Sequence, residues 1–340
     1  MEVLDPNLPD LGWRPFFSTQ LSSDEQEESL PVRVMAVHRG KLAVAGEGLE
    51  RSISSHLPSS QGEEDRPTVG DWLLIDPQSL EPQRILDRAS VFKRRAPGGD
   101  RRLQLVAANV DTLFIVTSCN QDFNVPRLER YLVLAREVGV RPVVVLTKID
   151  LTDTPERFRE AACGLQPDLQ VELVNARDPQ SVARLAALCG RGETVALLGS
   201  SGVGKSTLVN TLRGSDSIAT QAVREQDGKG RHTTTVREMH RLDHGGWLLD
   251  TPGMREFQLS DAASGLAEVF DDIVDLTLEC RFTNCAHATE PGCAIQSAIE
   301  EGTLAPERLE RWRKLTAEDT LNTGSLADRK TRADPPGKRK

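Results

Sequence analysis

The sequence predicts a multidomain protein: a small β-barrel, a central α/β domain, and a mainly helical, cysteine-bearing C-terminal domain. Three observations carry that expectation. Short strands separated by turn residues fill residues 31–92. Strand and helix patterns alternate from about residue 102 to residue 212, and three of the six cysteines crowd between Cys280 and Cys293. A chain of 340 residues is long enough for more than one core.

Residues 1–30 hold seven acids against one arginine, and the expectation is disorder apart from Trp13, Phe16 and Phe17. Residues 32–37 alternate apolar and polar, and 41–44 follow Gly40. Residues 69–75 and 84–86 complete a set of short strands over 31–92. An OB-fold is one candidate and any other small β-domain the alternative; periodicity does not choose between them. The next stretch, 93–259, reads as α/β. Strands are predicted at 111–116, 143–146, 171–174, 194–198 and 247–249, and helices at 128–138, 181–189 and 205–212. Leu128, Leu132, Ala135 and Val138 fall on one helical face, with Gly139 after them. Such alternation implies a mostly parallel, doubly wound sheet. Residues 260–320 turn helical, and 321–340 form a basic, proline-containing tail.

The net charge of −9 argues against a protein that coats nucleic acid, although basic residues gather at 93–95, 101–102 and 329–340, where phosphates can bind. No apolar run approaches a membrane span and residues 1–10 lack a signal-peptide pattern, so no membrane association and a cytoplasmic location are expected. Cys119, Cys163 and Cys189 stand alone in apolar sequence and are expected in the core.

Gly199-Ser200-Ser201-Gly202-Val203-Gly204-Lys205-Ser206, with Thr207 after it, matches the phosphate loop at every fixed position. Its glycines let consecutive backbone N–H groups wrap phosphates at a helix N-terminus. Lys205 reaches the β and γ phosphates, and Ser206 ligates Mg²⁺. A glycine-rich turn before a helix is the bland alternative, and the strand before and helix after the loop argue against it. Thr147-Lys148-Ile149-Asp150 follows a buried strand and fits the guanine pattern [NT]-K-x-D. The carboxylate of Asp150 can accept from guanine N1–H and its 2-amino group together, whereas adenine would leave it unpaired and opposed. Asn175-Ala176 sits where a backbone N–H would meet guanine O6, although Ser-Ala is the commoner pair there. Asp250-Thr251-Pro252-Gly253 fits D-x-x-G, placing the Asp250 carboxylate near Mg²⁺ and the Gly253 N–H near the γ-phosphate. Between that motif and the phosphate loop, Thr234 of 230–235 is the candidate to complete the Mg²⁺ shell.

Cys280, Cys285, His287 and Cys293 supply three thiolates and an imidazole within fourteen residues. That donor set closes a tetrahedral shell around one Zn²⁺, the structural rather than catalytic arrangement. Buried thiols beside a surface histidine are the alternative, and the density of the cluster argues against it.

Motif order is informative. In Ras-like proteins the phosphate loop precedes the guanine motif; here the guanine motif comes first, at 147–150, then the phosphate loop, then D-x-x-G. Joining the old ends and cutting elsewhere leaves the sheet intact, so a circularly permuted G domain is predicted. With 69–72, the nucleotide motifs, 230–234 and the cysteine cluster, the chain resembles the RsgA/YjeQ family over nearly its whole length.

That resemblance implies an OB-fold N-terminal domain, zinc on the same ligand spacing, and GTP hydrolysis to GDP and phosphate. It also implies stimulation by the 30S ribosomal subunit during late maturation, with the subunit and its 16S rRNA as partners of a monomer. Met254 follows Gly253 where Ras-like enzymes carry a water-orienting glutamine, so His232 is the catalytic candidate, and the family marks the same histidine. Two other functions compete: a permuted GTPase of the large subunit, and an RNA-binding module whose nucleotide site only reports occupancy.

Overall fold

The computed structural model describes residues 7–58, 65–95, 103–214, 237–250, 259 and 261–323, with residues 95, 103, 237 and 250 described by backbone alone. The chain divides into two compact units: residues 1–125 with 138–257, and residues 126–137 with 258–340.

The first unit begins with a correction. Residues 7–28, expected to be disordered apart from Trp13, Phe16 and Phe17, form turns and two short helices, α1 (Pro15–Ser18) and α2 (Ser23–Glu28). The reason is aromatic burial: Trp13 and Phe17 pack on the fully buried Trp72, with ring centroids 4.7 and 5.8 Å away, and Leu11 is buried too. The Trp247 indole N–H also donates to the Asp10 carbonyl, at 2.7 Å. A capping box starts α2. The Ser22 hydroxyl accepts from the Glu25 N–H, and the Glu25 carboxylate accepts from the Ser22 N–H. Hydrogen bonds from Arg84 and from the Ser22 backbone hold the Glu25 carboxyl down at about 2.

Five strands follow: β1 (Leu30–His38), β2 (Lys41–Gly46), β3 (Leu49–Ser54), β4 (Trp72–Ile75) and β5 (Pro82–Ile85). All pair antiparallel, and Val32, Val34, Leu42, Val44, Ile53, Leu73 and Ile75 form their core. A separate two-stranded hairpin, β6 (Val91–Arg95) with β7 (Leu103–Ala108), spans the boundary expected at residue 92.

The remaining strands are β8 (Thr112–Ser118), β9 (Arg141–Thr147), β10 (Gln170–Leu173), β11 (Thr194–Leu198), β12 (Arg237–Arg241) and β13 (Trp247–Asp250). Their order is β10-β9-β8-β11-β13-β12, parallel except for the antiparallel β12. Beyond β12 the sheet continues into β1, which pairs at Ala36↔Glu238 and Val37↔Arg237, so that eleven strands share one sheet. An edge strand offers unpaired N–H and C=O groups, and β1 takes up those of β12. A buried arginine reinforces the junction. Arg33 of β1 donates to the carbonyls of Leu11 and Asn109 and to the Thr194 hydroxyl of β11, and burial pushes it down to about 10.

Every residue of β8 is buried. Phe114, Val116, Val143, Val145, Val195 and Leu197 pack with side chains of α5 (Pro179–Ala187) and α6 (Lys205–Leu212). Helix α4 (Pro155–Cys163) buries Phe158 and Ala162. Its last residue, Cys163, is exposed, so the expectation of a core cysteine fails there, whereas Cys119 and Cys189 are buried. A helix turns its final residue away from the face that Phe158 and Ala162 bury.

The second unit is helical. Helix α3 (Val125–Glu137) is grouped from residue 126 with α7 (Ala263–Val269), α8 (Asp271–Leu278), α9 (Ala294–Glu300) and α10 (Pro306–Thr323). Leu266, Phe270, Ile273, Ile295, Leu309 and Leu315 are buried. Polar ties run from α3: Arg130 to Glu318, and the Glu137 carboxylate to the Ser264 hydroxyl and the Gly265 N–H, both at 2.9 Å. Among the described residues no helix is long and apolar enough to cross a membrane.

Candidate functional site

Parallel strands deliver their following loops to one edge of the sheet, which is where open α/β sheets bind ligands. The predicted nucleotide residues follow that rule. Thr147 ends β9, Asn175 and Ala176 follow β10, Gly199 follows β11 and Asp250 ends β13. All of these are C-terminal ends of mutually parallel strands.

The phosphate loop needs glycine at two places for different reasons. At Gly199 an added Cβ would lie 2.2 Å from the Val116 carbonyl oxygen, so only glycine lets the chain leave β11 against β8. Gly204 caps α6 with φ of +97°, a conformation that L side chains rarely adopt. Helix α6 then starts at Lys205, and its first N–H groups have no partner within the helix. The Lys205 ammonium donates to the carbonyls of Gly199 (2.8 Å) and Ser200. Val203 is buried while Ser201, Gly202 and Ser206 are exposed.

Thr147 ties the two motifs together. Its hydroxyl lies 3.1 Å from the Thr117 carbonyl oxygen and 2.5 Å from that of Val203; with one proton it donates to one at a time. The Thr147 carbonyl in turn accepts from the Cys119 N–H at 2.9 Å. Lys148 has φ of +59°, an uncommon value for a residue with a side chain, and it launches a 3₁₀ turn over Ile149–Leu151 that leaves Asp150 exposed. Beside β10, the Ser181 hydroxyl accepts from the Asn175 N–H at 2.8 Å. The Asn175 side chain accepts from the Arg177 N–H at 3.1 Å. The Thr211 hydroxyl of α6 lies 2.6 Å from the Ala176 carbonyl and 3.1 Å from that of Thr207, so the loop after β10 is held to the helix after the phosphate loop. Thr117, Ser181 and Thr211 carry no signal in the sequence. Their hydroxyls matter through position, and nothing in their neighbours' spacing marks them. His232, Thr234 and Gly253 lie outside the described residues, as does the side chain of Asp250.

The cysteine cluster lies in the second unit. Cys280 follows α8 and Cys293 caps α9; between them the chain folds back so that the Arg281 N–H donates to the Gly292 carbonyl at 3.0 Å. The four ligand atoms of Cys280, Cys285, His287 and Cys293 all lie within 4.8 Å of one another. Cys280 Sγ is 3.5 Å from His287 Nδ1 and 4.0 Å from Cys293 Sγ, and Cys293 Sγ is 3.8 Å from the same Nδ1. Zinc–sulfur bonds of about 2.3 Å put tetrahedral sulfurs about 3.8 Å apart, so the donor set fits a four-coordinate metal ion. The surrounding chain fixes the ligands. Gln296 and Arg313 both donate to the His287 carbonyl, at 2.6 and 2.7 Å. The Glu290 carboxylate accepts from the N–H groups of Ala286, Ala288 and Thr289, and those bonds hold its carboxyl down at about 2.

The chain has extensive known relatives. The sequence profile of the RsgA GTPase family matches residues 85–260. The small ribosomal subunit biogenesis GTPase RsgA of Mesorhizobium japonicum is 49% identical over 338 residues, covering 98% of this chain and 96% of that protein. Small ribosomal subunit biogenesis GTPase RsgA 2 of Vibrio parahaemolyticus is 46% identical, covering 97% and 91%. Among solved structures, YjeQ from Thermotoga maritima superposes with a TM-score of 0.62 at 23% identity, over 85% of this chain and 98% of that one. YloQ, described as a circularly permuted GTPase, superposes with a TM-score of 0.60 at 21% identity, over 90% and 100%. The two structures establish the permuted GTPase fold that the motif order predicts. With the profile matching more than half of the chain and near-half identity running along almost all of it, the chain belongs to the RsgA GTPase family and is a GTP-hydrolysing enzyme.

Proposed function

We propose that this GTPase acts in late maturation of the small ribosomal subunit and that the 30S subunit stimulates its turnover. The observation that carries the nucleotide half is the Thr147 hydroxyl within reach of the Val203 carbonyl, which brings the base-reading and phosphate-holding segments together. The ribosomal half rests on the names of relatives similar along almost the whole chain.

In this mechanism the carboxylate of Asp150, with Lys148 across the base and Ile149 between them, selects guanine, and the backbone at Ala176 faces O6. The backbone of 199–204 and the N–H groups of Lys205, Ser206 and Thr207 surround the phosphates. The Lys205 ammonium exchanges the Gly199 and Ser200 carbonyls for phosphate oxygens when nucleotide enters. Ser206 and Thr234, with Asp250, would hold a Mg²⁺ that would supply charge neutralisation for phosphoryl transfer. The Gly253 N–H meets the γ-phosphate and His232 orients the water. The residues at 280–293 hold one Zn²⁺ in a structural role, the strands of 31–92 form an OB-fold, and 16S rRNA is the surface on which the monomer docks in the cytoplasm.

The test is phosphate release from GTP with and without purified 30S subunits, for wild type and Lys205→Ala. Stimulation by 30S but not by 50S subunits, abolished in Lys205→Ala, is the expected result. Equal stimulation by 50S subunits, or turnover of Lys205→Ala at the wild-type rate, would overturn it.

A further inference from the structure

Across residues 174–178, in the loop after β10, every backbone N–H but one has a partner within the chain. The Val174 N–H donates to the Leu146 carbonyl at 2.9 Å, extending the pairing of β10 with β9. The Asn175 N–H donates to the Ser181 hydroxyl at 2.8 Å. The Arg177 N–H donates to the Asn175 side-chain oxygen at 3.1 Å. The Asp178 N–H donates to the Asn175 carbonyl at 3.0 Å, closing a turn over residues 175–178. The N–H of Ala176 has no partner among the described residues, although Ala176 is buried. Buried backbone donors are almost always paired, so this one marks a donor available to an acceptor from outside the chain.

The direction of that donor is set by the peptides around it. A peptide is planar, so the Asp178 bond to the Asn175 carbonyl also orients the Ala176 N–H on the opposite side of the same unit. The next peptide is held from both sides, its N–H by the Asn175 side chain and its carbonyl, that of Ala176, by the Thr211 hydroxyl at 2.6 Å. Most of these bonds are local to residues 174–181. Thr211 is different, because it belongs to α6, the helix that starts at Lys205 directly after the phosphate loop. Its hydroxyl also lies 3.1 Å from the Thr207 carbonyl one turn earlier, and the shorter contact is the one that crosses to Ala176.

We infer that Thr211 is a positioning residue for guanine recognition: its hydroxyl fixes the Ala176 carbonyl, and with it the direction in which the Ala176 N–H meets guanine O6. This rests on Ala176 being the O6 contact. The role is distinct from catalysis, since the Thr211 hydroxyl is engaged with two backbone carbonyls and acts through Ala176. Because α6 begins at the phosphate loop, the same bond sets the O6 donor at a fixed distance from the phosphate cradle. A nucleotide whose phosphates are seated then presents its base to a donor already aimed, which lowers the ordering cost of binding.

The experiment compares equilibrium binding of GDP, 6-thioguanosine diphosphate and inosine diphosphate to full-length wild type, Thr211→Val, Thr211→Ala and Thr211→Ser. The thio analogue replaces O6 by sulfur, a weak acceptor, and keeps the N1–H and the 2-amino group; inosine keeps O6 and lacks the 2-amino group. Melting temperatures are measured on the same samples. Thr211→Val and Thr211→Ala are expected to lower the preference for GDP over the thio analogue by about threefold or more, the scale of one neutral hydrogen bond. Their preference for GDP over inosine diphosphate, which reads Asp150, should stay near wild type. Thr211→Ser keeps the hydroxyl and should retain both preferences. Thr211 is half-buried on a helix where alanine is well tolerated, so Thr211→Ala decides the matter if Thr211→Val does not fold. A wild-type thio preference in the hydroxyl-free variants, or an equal loss of affinity for all three nucleotides, overturns the inference. A wild-type protein that bound GDP and the thio analogue alike would remove Ala176 as the O6 contact, and the inference with it.

Discussion

The hydroxyl of Thr147, in the guanine motif, and the carbonyl oxygen of Val203, in the phosphate loop 56 positions later, lie 2.5 Å apart in this permuted chain. Thr147 ends β9 and Val203 follows β11, with β8 between the two strands. The bond thus spans a strand, and its other acceptor, Thr117, lies on that intervening strand. Permutation changes which segments are neighbours in sequence and leaves this cross-link where a nucleotide needs base and phosphate sites at a fixed separation.

Thr147→Val keeps the shape and removes the proton. The buried hydroxyl is lost and the two carbonyls keep no donor from this side chain, at a cost of about 1–3 kcal/mol. If part of that appears in the nucleotide-bound state, GTP affinity falls about fivefold or more while the fold persists. Calorimetric titration with a non-hydrolysable GTP analogue checks this, and an unchanged dissociation constant would show that the cross-link does not set the site.

Asp150 is exposed at the tip of the 3₁₀ turn, with its carboxylate available to a base. Asp150→Asn replaces one acceptor by a donor, which suits the carbonyl at position 2 of xanthine and opposes the 2-amino group of guanine. The expected outcome is weaker GTP binding together with stronger xanthosine triphosphate binding, read by competition titration. An unchanged preference for GTP would remove Asp150 from base selection.

The motifs were legible because phosphate and guanine chemistry demands fixed residues at fixed spacing, and the inner strands because β8 and β11, buried throughout, carry apolar runs at 113–116 and 195–198. Other parts were not. β12 reads Arg-Glu-Met-His-Arg, which alternates too weakly to announce a strand, and it forms because β13 and β1 flank it. The N-terminal segment looked disordered by its acids, yet its few aromatic side chains find Trp72, a partner that is remote in sequence. Glu129 sits in a run of mixed charge where any solvated face would look the same, and only α10 reveals it as buried. Apart from β13, the next strand after β12, each deciding partner is distant in sequence, and local pattern carries no trace of it.

Metal should matter to the second unit and little to nucleotide binding. With a metal bound, Cys280, Cys285, His287 and Cys293 would hold α8 and α9 at a fixed separation, and there are few large buried side chains between residues 280 and 293 to do so otherwise. Chelation, or Cys285→Ala, is expected to lower the melting temperature of this unit and to weaken 30S binding more than tenfold, while GTP affinity changes by about twofold or less. Elemental analysis should return one zinc per chain. Absence of zinc, or parallel loss of both affinities, would assign the cluster a different role.

The last expectation concerns the attacking water. The residue after Gly253 is Met254, whose thioether cannot orient water as a glutamine does, so the group must come from elsewhere. His232 is the polar side chain two residues from Thr234, the candidate Mg²⁺ ligand, and its imidazole can accept a proton from water near neutral pH. On the proposed mechanism docking completes the set of groups, a gating step rather than a change of chemistry, so turnover without the subunit should be slow. His232→Ala is then expected to reduce 30S-stimulated turnover by about 100-fold, the scale of losing one positioned catalytic group. GTP affinity and 30S binding should stay near wild type, since neither the phosphate cradle nor Asp150 is altered. Single-turnover phosphate release at saturating 30S separates chemistry from docking. Full stimulated activity in the variant, or a loss that vanishes once 30S is saturating, would mean that another group orients the water.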